Sequence, residues 1–123
     1  MKEAYCSYEV SKLLKEKGFD EYCDNYYDQS SDEPQQLTLD EMYYSYDEFI
    51  KAPTHQMACA WLREKGYHIY TFNLGPLWIY EIQSLTKDWT FSFGGFENHD
   101  AAIEAAIKYC LENEIWSNKE NKL

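Results

Sequence analysis

Apolar positions recur at helical spacing in three stretches of the chain and alternate with polar ones in most of the segments between. Ser7 is placed to cap a helix over Tyr8 to Lys17, in which Val10, Leu13 and Leu14 share one face and Gly18 supplies the left-handed end. Phe19 to Asp28 then alternates, with Phe19, Cys23 and Tyr27 on one side and Asp20, Tyr22, Asp24, Tyr26 and Asp28 on the other, as in an amphipathic strand. Ser30-Ser31-Asp32-Glu33-Pro34 reads as a turn, and Leu37 to Tyr46 as a second, weaker strand.

After Pro53, Thr54 caps a second helix over His55 to Lys65, with Met57, Ala58, Trp61 and Leu62 apolar and Gly66 at its end. Three aromatic strands follow, Tyr67 to Leu74, Leu77 to Ser84 and Asp88 to Phe93, and their short connections imply an antiparallel meander. Trp89, Phe91 and Phe93 face one way and Asp88, Thr90 and Ser92 the other, so one face is expected to be buried, with Gly94-Gly95 closing the strand. Asn98 caps the last helix, whose Ala102, Ile103, Ala106, Ile107, Cys110 and Leu111 form a continuous stripe.

These elements give the order α-β-β-α-β-β-β-α. The expected class is α+β, an antiparallel sheet with helices packed on one face. Residues 1–116 form one domain in this reading, followed by a polar tail over 117–123. One phrase occurs twice: Leu14-Lys15-Glu16-Lys17-Gly18-Phe19 returns 48 positions later as Leu62-Arg63-Glu64-Lys65-Gly66-Tyr67. Duplication and convergence on one helix-ending chemistry both account for it.

Composition sharpens this picture. Aromatics make up 18% of the 123 residues, with twelve Tyr and four Trp, which is incompatible with a disordered chain. The N-terminus has no apolar signal region, and runs such as Leu77-Trp78-Ile79-Tyr80 are strand-sized, so neither export nor membrane spanning is expected. Four scattered cysteines, Cys6, Cys23, Cys59 and Cys110, with no CxxC pair, fit reduced thiols in a cytoplasm.

The net charge of −11 disfavours direct binding to nucleic acid or anionic lipid. Its distribution is uneven. Ten carboxylates and no Lys or Arg lie between Asp20 and Glu48, leaving −1 for the rest of the chain. Interleaved with them are Tyr22, Tyr26, Tyr27, Tyr43, Tyr44 and Tyr46. Tyrosine anchors and steering carboxylates are the ingredients of a surface that docks a basic protein, and Tyr22, Asp24, Tyr26, Asp28, Tyr43, Tyr44 and Tyr46 are the candidate binding residues. A more specific version has the acidic surface imitate nucleic acid and inhibit a basic protein.

Candidate chemistry is sparser. His55 and Cys59 stand four apart on the second helix, but two ligands do not make a metal site; Cys59 reads as a core thiol and His55 as a surface residue. His99, beside Asp100 in the first turn of the last helix, lacks an accompanying nucleophile motif, and His68 at a strand start is no stronger. Asp20, Asp24 and Asp28 share a strand face without the central glycine of an EF-hand loop. No phosphate loop or nucleophile elbow occurs, so no catalytic residue, metal or cofactor is assigned. An enzyme or metal-binding protein using these carboxylates or His99 is the competing class.

As phrases, Ser7 to Phe19, Pro53-Thr54-His55-Gln56-Met57-Ala58 with Trp61-Leu62-Arg63-Glu64, and Ala105 to Asn113 resemble a family of small uncharacterised proteins of gut Bacteroidetes and their prophages. The resemblance covers the helices, implies a bacterial or prophage source and carries no site. The order α-β-β-β-α over Pro53 to Ile115, with Gly75-Pro76 between strands, is similar to a double-stranded-RNA-binding domain. That family's cations are replaced here by Leu77-Trp78 and by Asn98-His99-Asp100, which leaves RNA phosphates without partners.

Overall fold

The computed structural model describes residues 4–28, 36–38 and 49–114. Three helices, α1 (Tyr8–Glu16), α2 (His55–Glu64) and α3 (His99–Asn113), accompany six short strands: β1 (Asn25–Asp28), β2 (Gln36–Thr38), β3 (Phe49–Lys51), β4 (Tyr67–Leu74), β5 (Leu77–Ser84) and β6 (Thr90–Phe96). The α+β class and the order of helices among antiparallel strands are as the sequence implies, with the three-residue β3 added before α2. The strands divide into two antiparallel sheets, ordered β2-β1-β3 and β4-β5-β6.

Each helix begins where its cap allows. The side chains of Ser7, Thr54 and Asn98 accept hydrogen bonds from the backbone N–H groups of Val10, Met57 and Ala101, satisfying a donor that the first turn leaves unpaired. The repeated phrase ends two helices alike: Gly18 and Gly66 adopt φ of +99° and +102°, and their N–H groups donate to the carbonyls of Lys15 and Arg63.

The core lies between the β4-β5-β6 meander and the helices. Ile69, Tyr80 and Ile82 from the sheet meet Ala58, Trp61 and Leu62 of α2 and the apolar stripe of α3, while Val10 and Leu14 of α1 pack in from beyond α3. Phe91 of β6 stacks on Tyr109 of α3, ring centres 4.5 Å apart. β6 is an edge strand, and α3 lies mainly over β4 and β5, so the buried-face expectation fails at Phe93, which is 57% exposed.

Gly94-Gly95 does not close the third strand; β6 runs on to Phe96. The pairing shifts register between Trp78 and Ile79, and a Cβ at Gly94 would stand 2.6 Å from Ile79 Cγ1. The glycines therefore admit an irregularity inside the strand where they were expected to end it. The weaker strand expected over Leu37 to Tyr46 is represented by Gln36–Thr38, and positions 39–48 lie outside the described residues, as does the tail at 117–123. No helix among the described residues is long and apolar enough to cross a membrane.

Candidate functional site

The segment after α1 carries the expected acidic and aromatic surface in part. Among the described residues, pairing begins at Asn25, where β2 and β3 reach β1 at Asn25 and Tyr26, so Phe19 to Asp24 leads into the strand without a described partner strand. The expected burial is met at the start of the segment, although Glu21, on the Phe19 side by alternation, is exposed. Phe19 and Cys23 are buried, whereas Asp20, Glu21, Tyr22 and Asp24 are exposed. Tyr26 is half-buried, and Asp28 pairs with Phe49 across the small sheet. Tyr43, Tyr44 and Tyr46 lie outside the described residues.

Among the described residues, Tyr22 is the most exposed large aromatic, at 67%. The Asp24 carboxylate beside it, through its charge and a hydrogen bond with the phenol, holds the Tyr22 phenol above its ordinary range. Tyr22 also edges a cleft of about 320 Å³ whose other walls are Glu21, Met57, Ala60, Trp61 and Glu64. The indole in its wall is fixed: Phe19 packs edge-on to Trp61 at 5.8 Å. Lys65 Nζ sits 5.1 Å from the centre of the same indole, which shows that the ring face accepts a cation. Asp20 is tied to Lys51 at 3.1 Å, so one carboxylate of the run is already paired.

Tyr27 belongs to the interior. Its phenol donates to the Cys6 carbonyl at 2.7 Å and its ring stands edge-on to Tyr8. That hydrogen bond leads to a second cluster, which the sequence pattern does not reveal. Cys6, just before α1, His55, the first residue of α2, and Glu104, on α3, bring a thiol, an imidazole and a carboxylate within 4.8 Å of one another. His55 Nε2 lies 2.8 Å from Glu104 Oε1. The Ser7 N–H donates to both Glu104 oxygens, at 3.1 and 3.3 Å.

His55 was expected on the surface, yet its side chain is only 11% exposed. The reason is the N-terminal segment: the His55 N–H donates to the Ala4 carbonyl, Cys6 N–H to the Pro53 carbonyl, and Tyr5 bridges Thr54. Residues 4–7 thus cover the start of α2. Burial pushes the Glu104 carboxyl up, but hydrogen bonds from His55 and Ser7 outweigh it and the pKa falls below the usual range, so Glu104 is a carboxylate.

Cys6, His55 and Glu104 have the composition of a nucleophile, base and orienting carboxylate, but not the chemistry. Cys6 is fully buried, and its thiol donates to the Thr54 carbonyl at 4.0 Å rather than to the imidazole. Burial, followed by the Glu104 charge, pushes its pKa far above the thiol range. Burial likewise raises Cys110 to about 12 and Cys23 and Cys59 to about 11. All four thiols are therefore expected to react slowly with Ellman's reagent in the native metal-free protein at mildly alkaline pH, and all four rapidly in denaturant.

The remaining candidates stay apart. Cys59 packs against the core as expected, and its helix neighbour His55 turns to Glu104. His99 is exposed, near Asp100 Oδ1 at 3.2 Å and edge-on to Trp78. His68 accepts from Arg63 Nε at 3.4 Å. Among the described residues, Cys6, His55 and Glu104 are the one group of three potential metal ligands. No protein-family model, curated protein or solved structure matches the chain. The resemblances drawn from the sequence therefore bring no residue role to either site.

Proposed function

We propose that this chain is a non-catalytic protein-binding module that receives a Lys- or Arg-rich segment of a partner at the Tyr22–Trp61 cleft. The observation that supports this reading most directly is the cleft itself: an exposed tyrosine beside a largely buried indole, with Glu21 and Glu64 among its walls. Carboxylates at the rim steer a cation inward, and an aromatic face holds it with an attraction that grows as water is excluded. The exposed carboxylates of Glu21 and Asp24 provide the surrounding negative field, while Tyr22 and Trp61 provide contact area at low entropic cost. A partner side chain entering here competes with Lys65 for the Trp61 ring.

Titration with an arginine-rich decapeptide, followed through the Trp61 indole NMR resonance, tests the reading. Shifts should concentrate at Trp61, Tyr22 and Ala60 and weaken with added salt. Tyr22→Ala is expected to lower affinity about tenfold or more, the loss of an anchor worth ~1.4 kcal/mol, and the double reversal Glu21→Lys with Glu64→Lys to abolish binding. Unchanged binding in the double reversal would overturn it.

A further inference from the structure

We propose that Cys6, His55 and Glu104 form a binding site for a thiophilic divalent metal ion of the zinc class. The site is separate from the Tyr22–Trp61 cleft, and the proposal does not rest on that reading.

Three observations combine. The first is ligand chemistry: one sulfur, one imidazole nitrogen and one carboxylate oxygen are the three donor types that zinc takes from proteins, and here they come from three distant segments onto one point. Around a tetrahedral zinc the donor atoms stand roughly 3.3–3.8 Å apart, from metal–ligand lengths of about 2.0–2.3 Å. The present donors lie within 4.8 Å of each other, with the His55–Glu104 pair at 2.8 Å, so small side-chain movements bring them to that spacing.

The second is the unsatisfied state of the site. The Cys6 sulfur is buried and has only its long 4.0 Å contact to the Thr54 carbonyl, while His55 turns Nε2, the nitrogen that would ligate, toward Glu104. A buried sulfur held by so weak a contact is free to take a metal as its partner. The third is charge. A thiolate and a carboxylate neutralise a divalent cation, so the occupied site carries no net charge in a region where an unbalanced one would be costly.

Binding replaces the Cys6 S–H bond by a sulfur–metal bond, and the displaced proton passes to bulk water. Glu104, 26% exposed at its side chain, gives the cation its route in, whereas Cys6 is closed to solvent. Ser7 keeps Glu104 in place through its N–H, the kind of supporting hydrogen bond that orients a ligating carboxylate. Three protein donors leave a fourth position for water or another exogenous ligand. The bound ion would link residues 4–7, α2 and α3 at one point.

Cobalt substitution tests the proposal. Chelator-treated, reduced protein titrated with Co2+ should take up one ion per chain with a thiolate-to-cobalt charge-transfer band in the near ultraviolet, and Zn2+ should bleach it. Cys6→Ser should lose the band while Cys59→Ser keeps it, and His55→Ala and Glu104→Gln should each weaken Zn2+ binding at least tenfold. Absence of the band in the wild type, or its persistence in Cys6→Ser, would overturn the assignment. Should Cys6→Ser fail to fold, cadmium NMR on the unaltered protein decides: scalar coupling from bound cadmium to the Cys6 Hβ protons supports the site, and coupling to another cysteine or to none refutes it.

Discussion

Ile82→Ala is expected to lower the unfolding free energy by about 2–5 kcal/mol, the cost of removing a fully buried aliphatic side chain and leaving a cavity. Ile82 is completely buried on β5, the central strand, flanked across the ladder by Ile69 and Phe91. Its neighbours on both sides are held by ladder hydrogen bonds and α3 covers it, so the surroundings have little freedom to collapse into the void. Against a total of about 5–15 kcal/mol for a domain, the loss is a large fraction of stability. It should appear as a fall in the urea midpoint with the slope unchanged.

Ile79→Ala is the control that gives this result its meaning. Three residues back on the same strand, Ile79 faces the opposite side of the sheet and is half-exposed, near the register shift opposite Gly94. Truncation there should cost well under half as much. Equal losses at the two positions would show that the outer face of the meander is as well covered as the inner one, and that helices on one side do not account for the core.

The helices and the β4–β5 hairpin were legible because their signals are local. Ser7, Thr54 and Asn98 cap where they stand in the sequence, and Gly75-Pro76 fixes the turn between two alternating runs. The glycines of β6 misled because glycine marks an irregularity inside a strand as readily as its end, and only the approach of Ile79 decides which. β3 is too short to carry a period. The exposure of Asp20, Tyr22 and Asp24 followed from alternation even though, among the described residues, no strand is assigned before Asn25. The cleft was not legible, since Tyr22 and Trp61 meet only through the fold.

Cys6, His55 and Glu104 were still less so. His55 and Glu104 are separated by 49 residues and Ser7 and Glu104 by 97, with no spacing that any local pattern would record. Cys6 read as one more scattered thiol, and Glu104 lies among the apolar positions of α3 with nothing in the sequence to single it out. The one available hint was Thr54, whose cap places His55 in the first turn of α2, where an acidic partner is favoured by the helix end for the backbone but not required by it.

In chelator-treated protein, Glu104→Ala is expected to cost about 1–3 kcal/mol, because it leaves the Ser7 N–H and a largely buried imidazole without their shared acceptor. His55→Ala should cost less: Glu104 keeps its Ser7 hydrogen bond and is partly open to water. The decisive quantity is the double variant. If the pair acts as a unit, adding His55→Ala to Glu104→Ala costs little more than Glu104→Ala alone, because the stranded imidazole has been removed with its partner. Hydrogen exchange should accelerate at Cys6, Ser7 and His55 in the Glu104 variant, since their N–H bonds to Pro53, Glu104 and Ala4 hold residues 4–7 against α2 and α3. Strictly additive losses with unchanged exchange would mean that the N-terminal segment is held by its backbone bridge at Tyr5 and Thr54, and that the carboxylate–imidazole pair is a passenger on that bridge.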